Sequence, residues 1–181
     1  MTDLSQLIAR QMDRSGSILM LGLEPVPDEE FFAENANGFS AAWVTGHLAC
    51  FADLFSSWFD GERVFDDAFH SVFNQTELAP EGAISKAVSV NPEINSKPAL
   101  LFRFNMAWNK ALDALAAFDV SQWDGPAPRG APVGLLTAGA VWETIAVHVY
   151  WHLGELAGSM PMFFGTYTLN IYPHHFYRPK T

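Results

Sequence analysis

The chain has 181 residues, of which 20 are Asp or Glu and 10 are Lys or Arg, so its formal net charge is −10. A chain of this length is expected to fold as a single domain, here residues 1–181, around a sizeable apolar core. The negative charge excludes a basic surface that would attract nucleic acid or an anionic membrane, so neither is an expected partner. Charged residues make up only 17% of the chain. This low fraction indicates apolar surface that a partner subunit covers or that lines a pocket, and a homodimer is the simplest explanation.

The cysteine content and the N-terminal segment predict a cytoplasmic protein. Cys50 is the only cysteine, so no disulfide can form within the chain. The apolar run from Ile18 to Leu23 is too short to cross a bilayer or to act as a secretion signal.

Four stretches with helical periodicity predict an all-α protein, because the segments between them are rich in Pro, Gly, Asn and Asp. The first predicted helix runs from about Leu4 to Leu23 and ends before Pro25. Its candidate core positions are Leu4, Leu7, Ile8, Met12, Ile18 and Leu19. The second predicted helix runs from Ser40, a plausible N-cap, to about Phe59, and Asp60-Gly61 ends it.

The third and fourth predicted helices lie in the second half of the chain. The third covers Ser96 to Phe118, with Ser96 as the cap and Pro98 in the tolerant first turn. The fourth covers Thr137 to Met160 and is stopped by Pro161.

Two segments outside these helices are expected to have roles of their own. Residues 61–95 form a long loop between the second and third helices, with room for short helical turns, and such connections are typical of lids or interface elements. Residues 163–181 form an aromatic C-terminal tail that is expected to pack on the body or on a partner.

The sequence pattern that says most about function is a histidine pair on the fourth predicted helix. His148 and His152 are four residues apart, which places both imidazoles on one face, close enough to bind one metal ion. His47 has Trp43 and Phe51 one helical turn away on either side, so it should also point into the bundle. Three imidazoles suit a divalent transition ion and leave a coordination position for water or substrate.

An alternative explains the same residues without a metal. Each histidine could be a core residue whose ring is satisfied by a backbone carbonyl or by Tyr150 or Glu155. Spacing alone leaves both interpretations open.

Two sequence segments resemble the DinB/YfiT-like metalloprotein family. They are Trp43–Leu48, which reads WVTGHL, and His148–Glu155, which reads HVYWHLGE. The resemblance implies a DinB-like four-helix bundle with up-down-down-up topology, often dimeric. It also implies that His47, His148 and His152 are the metal ligands, with zinc or nickel the favoured metal and iron or manganese the alternatives.

The chain departs from the family pattern after the histidine pair. There the family often carries His-His or His-Arg and then Gly-Gln, whereas this chain has Leu153-Gly154-Glu155 followed by a tail of some twenty residues beyond the helix. Substrate specificity therefore cannot be carried over from the family.

Several other polar residues lie near the predicted site. Glu155 shares the face of the histidine pair, so it could orient an imidazole or act as a catalytic general base, and it could equally be a solvated or interfacial carboxylate. Thr144 is expected to bond a backbone carbonyl, and Cys50 is expected to be a small buried hydrophobe.

Three further histidines are placed outside the site. His70, in the long loop, and His174 and His175, in the tail, are expected to be exposed or bonded to the main chain.

Two functions from different classes remain. The first is a divalent-metal-dependent enzyme that acts on a small-molecule substrate, with the metal activating a thiol or a water. The resemblance implies a transferase or isomerase that uses a low-molecular-weight thiol, and some relatives are described as hydrolases. The alternative is a non-catalytic metal- or small-ligand-binding protein, such as a stress-related or sensory module.

Overall fold

The computed structural model describes residues 4–35, 38–73, 89–132 and 134–159. Within these ranges the protein is all-helical, with six α-helices, one short 3-10 helix at Val120–Gln122 and no strand. The α-helices are α1 (Leu4–Leu23), α2 (Asp28–Phe32), α3 (Ala41–Asp60), α4 (Asp67–Phe73), α5 (Lys97–Ala117) and α6 (Ala138–Ser159). The four predicted helices correspond to α1, α3, α5 and α6. The tail 163–181 lies outside the described residues.

Local capping explains where α3 begins and ends. The Ser40 hydroxyl oxygen accepts a hydrogen bond from the Trp43 N–H at 3.1 Å, which satisfies one of the free donors of the first turn. At the other end Gly61 adopts a left-handed conformation with φ of 79°, and its N–H donates to the Ser57 carbonyl at 2.8 Å. Glycine takes this conformation at little cost, so the helix stops there.

The caps of α5 and α6 differ from each other. Ser96 occupies the N-cap position of α5, as predicted, but its side chain makes no capping bond. Thr137 precedes α6, and its hydroxyl oxygen accepts from the Ala140 N–H at 3.1 Å.

Helix α3 is the most buried helix of the described chain. Every residue from Ala41 to Asp53 is buried, and α3 packs against α5 and α6, while α1 packs against the same two helices. A helix that is apolar on all sides belongs in the interior. A polar side chain on α3 is therefore placed in the core by the helix itself.

The apolar residues of α1 are buried in part. Ile8, Met12 and Leu19 are buried, whereas Leu4 and Leu7 are 40% and 46% exposed. The prediction that these two residues belong to the core was wrong, because the core begins one turn later, at Ile8.

The connection between α3 and α5 contains a helix of its own. Helix α4 packs on α3, and the Phe73 ring lies so close to Gly46 that a Cβ atom there would be 2.3 Å from it. Residues 74–88 lie outside the described residues, so the form of the whole 61–95 segment stays a prediction.

A helix that crosses a bilayer must be both long and apolar, and the described helices differ from this. None of them is long and apolar enough to cross a membrane.

Candidate metal centre

Helices α3 and α6 bring three imidazoles together. His148 Nε2 lies 3.0 Å from His47 Nε2 and 3.2 Å from His152 Nε2, and the ligand atoms of all three lie within 4.8 Å of one another. His47 and His152 are 1% and 6% exposed, and His148 is half-buried. The structure therefore holds a candidate three-histidine metal site at the place that the sequence predicted.

Two of the three imidazole rings are fixed by hydrogen bonds at Nδ1, the nitrogen that does not face the cluster. His47 Nδ1 lies 2.9 Å from the Phe73 carbonyl oxygen, and His152 Nδ1 lies 2.6 Å from Glu155 Oε2. A carbonyl and an ionised carboxylate only accept, so both Nδ1 atoms carry the hydrogen and donate. In the neutral ring this leaves a lone pair on Nε2, the nitrogen that faces the cluster.

His148 completes the set from a different position. Its Nε2 lies between the other two Nε2 atoms, and its ring stacks on Phe51 with centroids 3.9 Å apart and planes at 5°. Without a cation, an Nε2–H of His148 can donate to the neighbouring lone pairs. When His148 carries its hydrogen on Nδ1, three lone pairs converge, and that is the donor set of a transition metal.

Burial keeps His47 and His148 neutral near pH 7. Burial and the neighbouring His152 lower the pKa of His47 from 6.5 to about 4, although the Phe73 carbonyl opposes the shift. Burial, followed by His152 and His47, lowers the pKa of His148 to about 2. Metal coordination requires the neutral form of imidazole, so protons compete weakly for these two ligands.

Glu155 contacts the site through His152. Its Oε2 accepts from His152, its Oε1 accepts from the Trp151 indole N–H at 3.0 Å, and the hydrogen bond from His152 is the main reason that the pKa of Glu155 is lowered. Both oxygens thus have a donor, and the carboxylate is ionised. This is the arrangement of a group that orients an imidazole.

Aromatic rings border the cluster on the α3 side. Trp43 stacks on His47 with centroids 4.7 Å apart and presents its edge to His152. Helical spacing predicted the position of Trp43, one turn before His47. It did not show that Phe51, one turn after His47, contacts His148 on another helix.

The remaining side chains near the site behave as packing residues. The Thr144 hydroxyl donates to the Ala140 carbonyl at 2.7 Å, and Cys50 is buried with its sulfur 3.9 Å from the Phe69 carbonyl. Burial raises the pKa of the Cys50 thiol. Both expectations are confirmed, and neither residue belongs to the three-histidine group.

His70 differs from its expectation. It was expected to be exposed or bonded to the main chain, but it is buried on α4, and its Nε2 lies 3.0 Å from Asp53 Oδ2. The sequence carried no signal for this pair, because Asp53 is on another helix. His174 and His175 lie outside the described residues.

Together, the helices and the histidine cluster define a helical protein with a candidate metal centre. The sequence model of the DinB superfamily matches residues 11–156, a range that contains all three histidines and Glu155. The chain belongs to the DinB superfamily. Comparison with curated proteins and with solved structures gives no match.

Proposed function

We propose that the protein is a metal-dependent enzyme in which His47, His148 and His152 hold one divalent transition ion. The observation that carries the proposal is the convergence of three Nε2 atoms, two of them on rings whose Nδ1 already donates elsewhere. Neutral imidazoles in this number suit zinc or nickel, with iron or manganese as alternatives. Such an ion, when bound, lowers the pKa of a coordinated water or thiol.

The chain's own residues prepare the site. Phe73 and Glu155 fix the tautomers of His47 and His152, so the Nε2 atoms of these two rings need no rearrangement. Since both oxygens of Glu155 already accept hydrogen bonds, we assign it to orienting His152 rather than to proton transfer. The low exposure of His47 and His152 keeps bulk water from two of the three ligands.

We propose more specifically that the enzyme is a transferase or isomerase that depends on a low-molecular-weight thiol. Its support is the resemblance to the DinB/YfiT-like proteins, together with the affinity of zinc and nickel for thiolate. With water in place of the thiol, the same site would serve a hydrolase. We also propose that the substrate is a small molecule.

Burial favours one alternative, a protein that binds a metal or a small ligand without turnover. His47 and His152 are 1% and 6% exposed, which is the burial expected of a metal that stabilises the bundle. Turnover separates the two proposals.

The experiment that tests the proposed function has two steps. Metal content is measured on purified protein and after reconstitution with zinc and with nickel, and one ion per chain is expected. The loaded and the chelated proteins are then assayed with a panel of thiols and electrophiles. Turnover that needs both metal and thiol supports the thiol-dependent enzyme, and stoichiometric metal without turnover supports the binding protein. A chain that takes up no metal contradicts the enzyme and the metal-binding form of the alternative.

We propose that α1, α3, α5 and α6 form an up-down-down-up four-helix bundle in one domain, supported by the packing of α1 and of α3 on both α5 and α6. We also propose a cytoplasmic homodimer, supported by Phe102, Val147 and Trp151, which are 66%, 59% and 70% exposed. A monomer in sedimentation at high micromolar concentration would contradict the dimer.

A further inference from the structure

A second polar cluster surrounds the carboxylate of Asp53 on α3. Asp53 is completely buried, and its oxygens accept from the N–H groups of Val64 and Phe65 at 2.8 and 3.2 Å. His70 Nε2 lies 3.0 Å from Oδ2, and Lys110 Nζ lies 3.5 Å from Oδ1. A buried carboxylate with this many partners ties together every segment that bonds to it.

The protonation of the cluster follows from its bonds. Burial raises the pKa of Asp53, but the bonds from His70, Val64 and Phe65 outweigh burial and lower it overall. The carboxylate is therefore ionised and only accepts, so His70 Nε2 carries the hydrogen and donates. Asp53 thus bonds the chain both before α4, at residues 64 and 65, and inside it, at His70.

The position of helix α4 is set by its contacts with other parts of the chain, and the Asp53 bonds are among them. It has seven residues, too few for a helix that is stable on its own, so its placement comes from tertiary contacts. Its last residue, Phe73, accepts from His47 Nδ1 and lays its ring on Gly46. The Asp53 cluster therefore bonds the segment before this short helix and the middle of the helix, whereas the His47 contact lies at its last residue.

We propose that Asp53 and His70 are positioning residues of the candidate metal centre. They pin α4 to α3, which places the Phe73 carbonyl where it holds His47 in the Nδ1–H form with Nε2 facing His148. The link to metal binding rests on the proposed function, whereas the link to the tautomer of His47 does not. A role limited to stabilising the fold would leave that tautomer unchanged.

The test compares the wild type with Asp53→Asn and His70→Phe. Asp53→Asn removes the charge that α4 is bonded to. His70→Phe removes one donor and keeps the buried carboxylate with its backbone partners. Asp60→Asn is the matched control, because Asp60 lies on the same helix and pairs with the same Lys110 Nζ, at 3.4 Å, but its carboxylate accepts from the Glu62 N–H and not from His70 or residues 64 and 65.

The first readout is the tautomer of His47 in the metal-free protein, from long-range ¹H–¹⁵N spectra of the imidazoles, with the signal assigned by its loss in His47→Gln. We expect the Nδ1–H form alone in the wild type and in Asp60→Asn, and a mixture of tautomers in Asp53→Asn and His70→Phe. The second readout is zinc affinity by competition with a chromophoric chelator. We expect a loss of about 10- to 100-fold in the two test variants, the size typical of removing a group that orients a ligand.

The outcomes separate the inference from the proposed function. If the variants fold, by circular dichroism and thermal melting, and His47 keeps a pure Nδ1–H form, the positioning role is wrong. It is also wrong if Asp60→Asn has the same effect on the tautomer. If Asp53→Asn does not fold, His70→Phe decides. If the wild-type protein binds none of zinc, nickel, iron and manganese, the metal centre is wrong, and the tautomers still decide the role of Asp53 and His70.

Discussion

The three histidines of the cluster are held by different groups, and His47 and His152 differ in the partner of Nδ1. His47 has a carbonyl, which fixes the tautomer without adding charge, and His152 has a carboxylate, which also makes the imidazole a stronger electron donor. His148 stacks on Phe51. We therefore expect the three ligands to respond differently to changes around them, although all three are needed for tight binding.

The first prediction concerns His148. Replacing His148 by Ala removes one of three nitrogen donors, so metal affinity should fall by more than the roughly 100-fold that the loss of a supporting group can cause. Metal per chain after gel filtration, measured by mass spectrometry, checks this. Cys50→Ala is the control, because Cys50 is buried on α3 outside the cluster, and it should keep one ion per chain. A His148→Ala protein that still holds one ion would contradict the assignment.

The second prediction concerns Glu155. Glu155→Gln keeps an acceptor for His152 Nδ1 but removes its charge, so metal affinity should fall by about 10-fold, near the lower end of effects of this kind. Glu143→Gln, at an exposed position of the same helix, is the control and should bind metal as the wild type does.

Turnover of the metal-loaded Glu155→Gln protein separates two roles. A group that only orients His152 leaves turnover at saturating metal close to that of the wild type. If turnover is lost while metal is retained, Glu155 transfers a proton, and its assignment as an orienting residue is wrong.

At the scale of helices, the close contact between α3 and α4 depends on Gly46, which has no side chain. Gly46 lets the Phe73 ring approach α3 so closely that a Cβ would lie 2.3 Å from it. Any larger residue must displace the Phe73 ring, and we expect the shift to move the Phe73 carbonyl as well. Stability and the state of His47 are therefore coupled at this position.

The third prediction follows from that contact. Gly46→Ala should lower the free energy of unfolding by about 1–3 kcal/mol, the cost of overpacking a core, and it should weaken zinc binding. Gly154→Ala on α6 is the control, since nothing lies within 4 Å of its added Cβ. It should be neutral or slightly stabilising, because alanine is the better helix former. Urea unfolding of both variants measures the difference, and equal effects would contradict the close contact.

At the scale of the whole molecule, the buried histidines make folding sensitive to pH. His47 and His148 have a pKa of about 4 and about 2 in the folded protein, against about 6.5 in the unfolded chain. Between pH 6.5 and 4 the unfolded chain therefore binds more protons than the folded one, and stability falls as the pH is lowered. Above pH 6.5 both states are neutral at these residues, and the effect disappears.

The fourth prediction concerns the slope of the free energy of unfolding against pH, and it assigns this slope to the two histidines. For the metal-free protein, the free energy of unfolding should drop by up to about 1.4 kcal/mol per pH unit for each of these histidines between pH 6.5 and 4. Urea unfolding at several pH values measures it. His148→Gln should reduce the slope, and a slope that His148→Gln leaves unchanged would contradict the lowered pKa. Bound metal should raise stability across this range, by about 2.7 kcal/mol at a free concentration of 100 times Kd.

The sequence by itself determined the features that depend on neighbouring residues. The periodicity of α1, α3, α5 and α6, the Ser40 cap and the Gly61 stop are local, because each is a relation between residues within a few positions of one another. The same holds for the His148–His152 pair, since four residues make about one helical turn. The placement of His47 with them followed from its apolar helix face and was strengthened by family resemblance.

Only the tertiary structure decided which group holds His47 in place, whereas Glu155, the partner of His152, lies three residues away on the same helix. The acceptor for His47 is the Phe73 carbonyl, 26 residues away, and every residue has a carbonyl, so no pattern of side chains could single it out. The pairing of Asp53 with His70, 17 residues apart, likewise depends on the path of the chain into α4. Local patterns reveal which residues can bind a metal, and long-range packing decides which of their nitrogens face it.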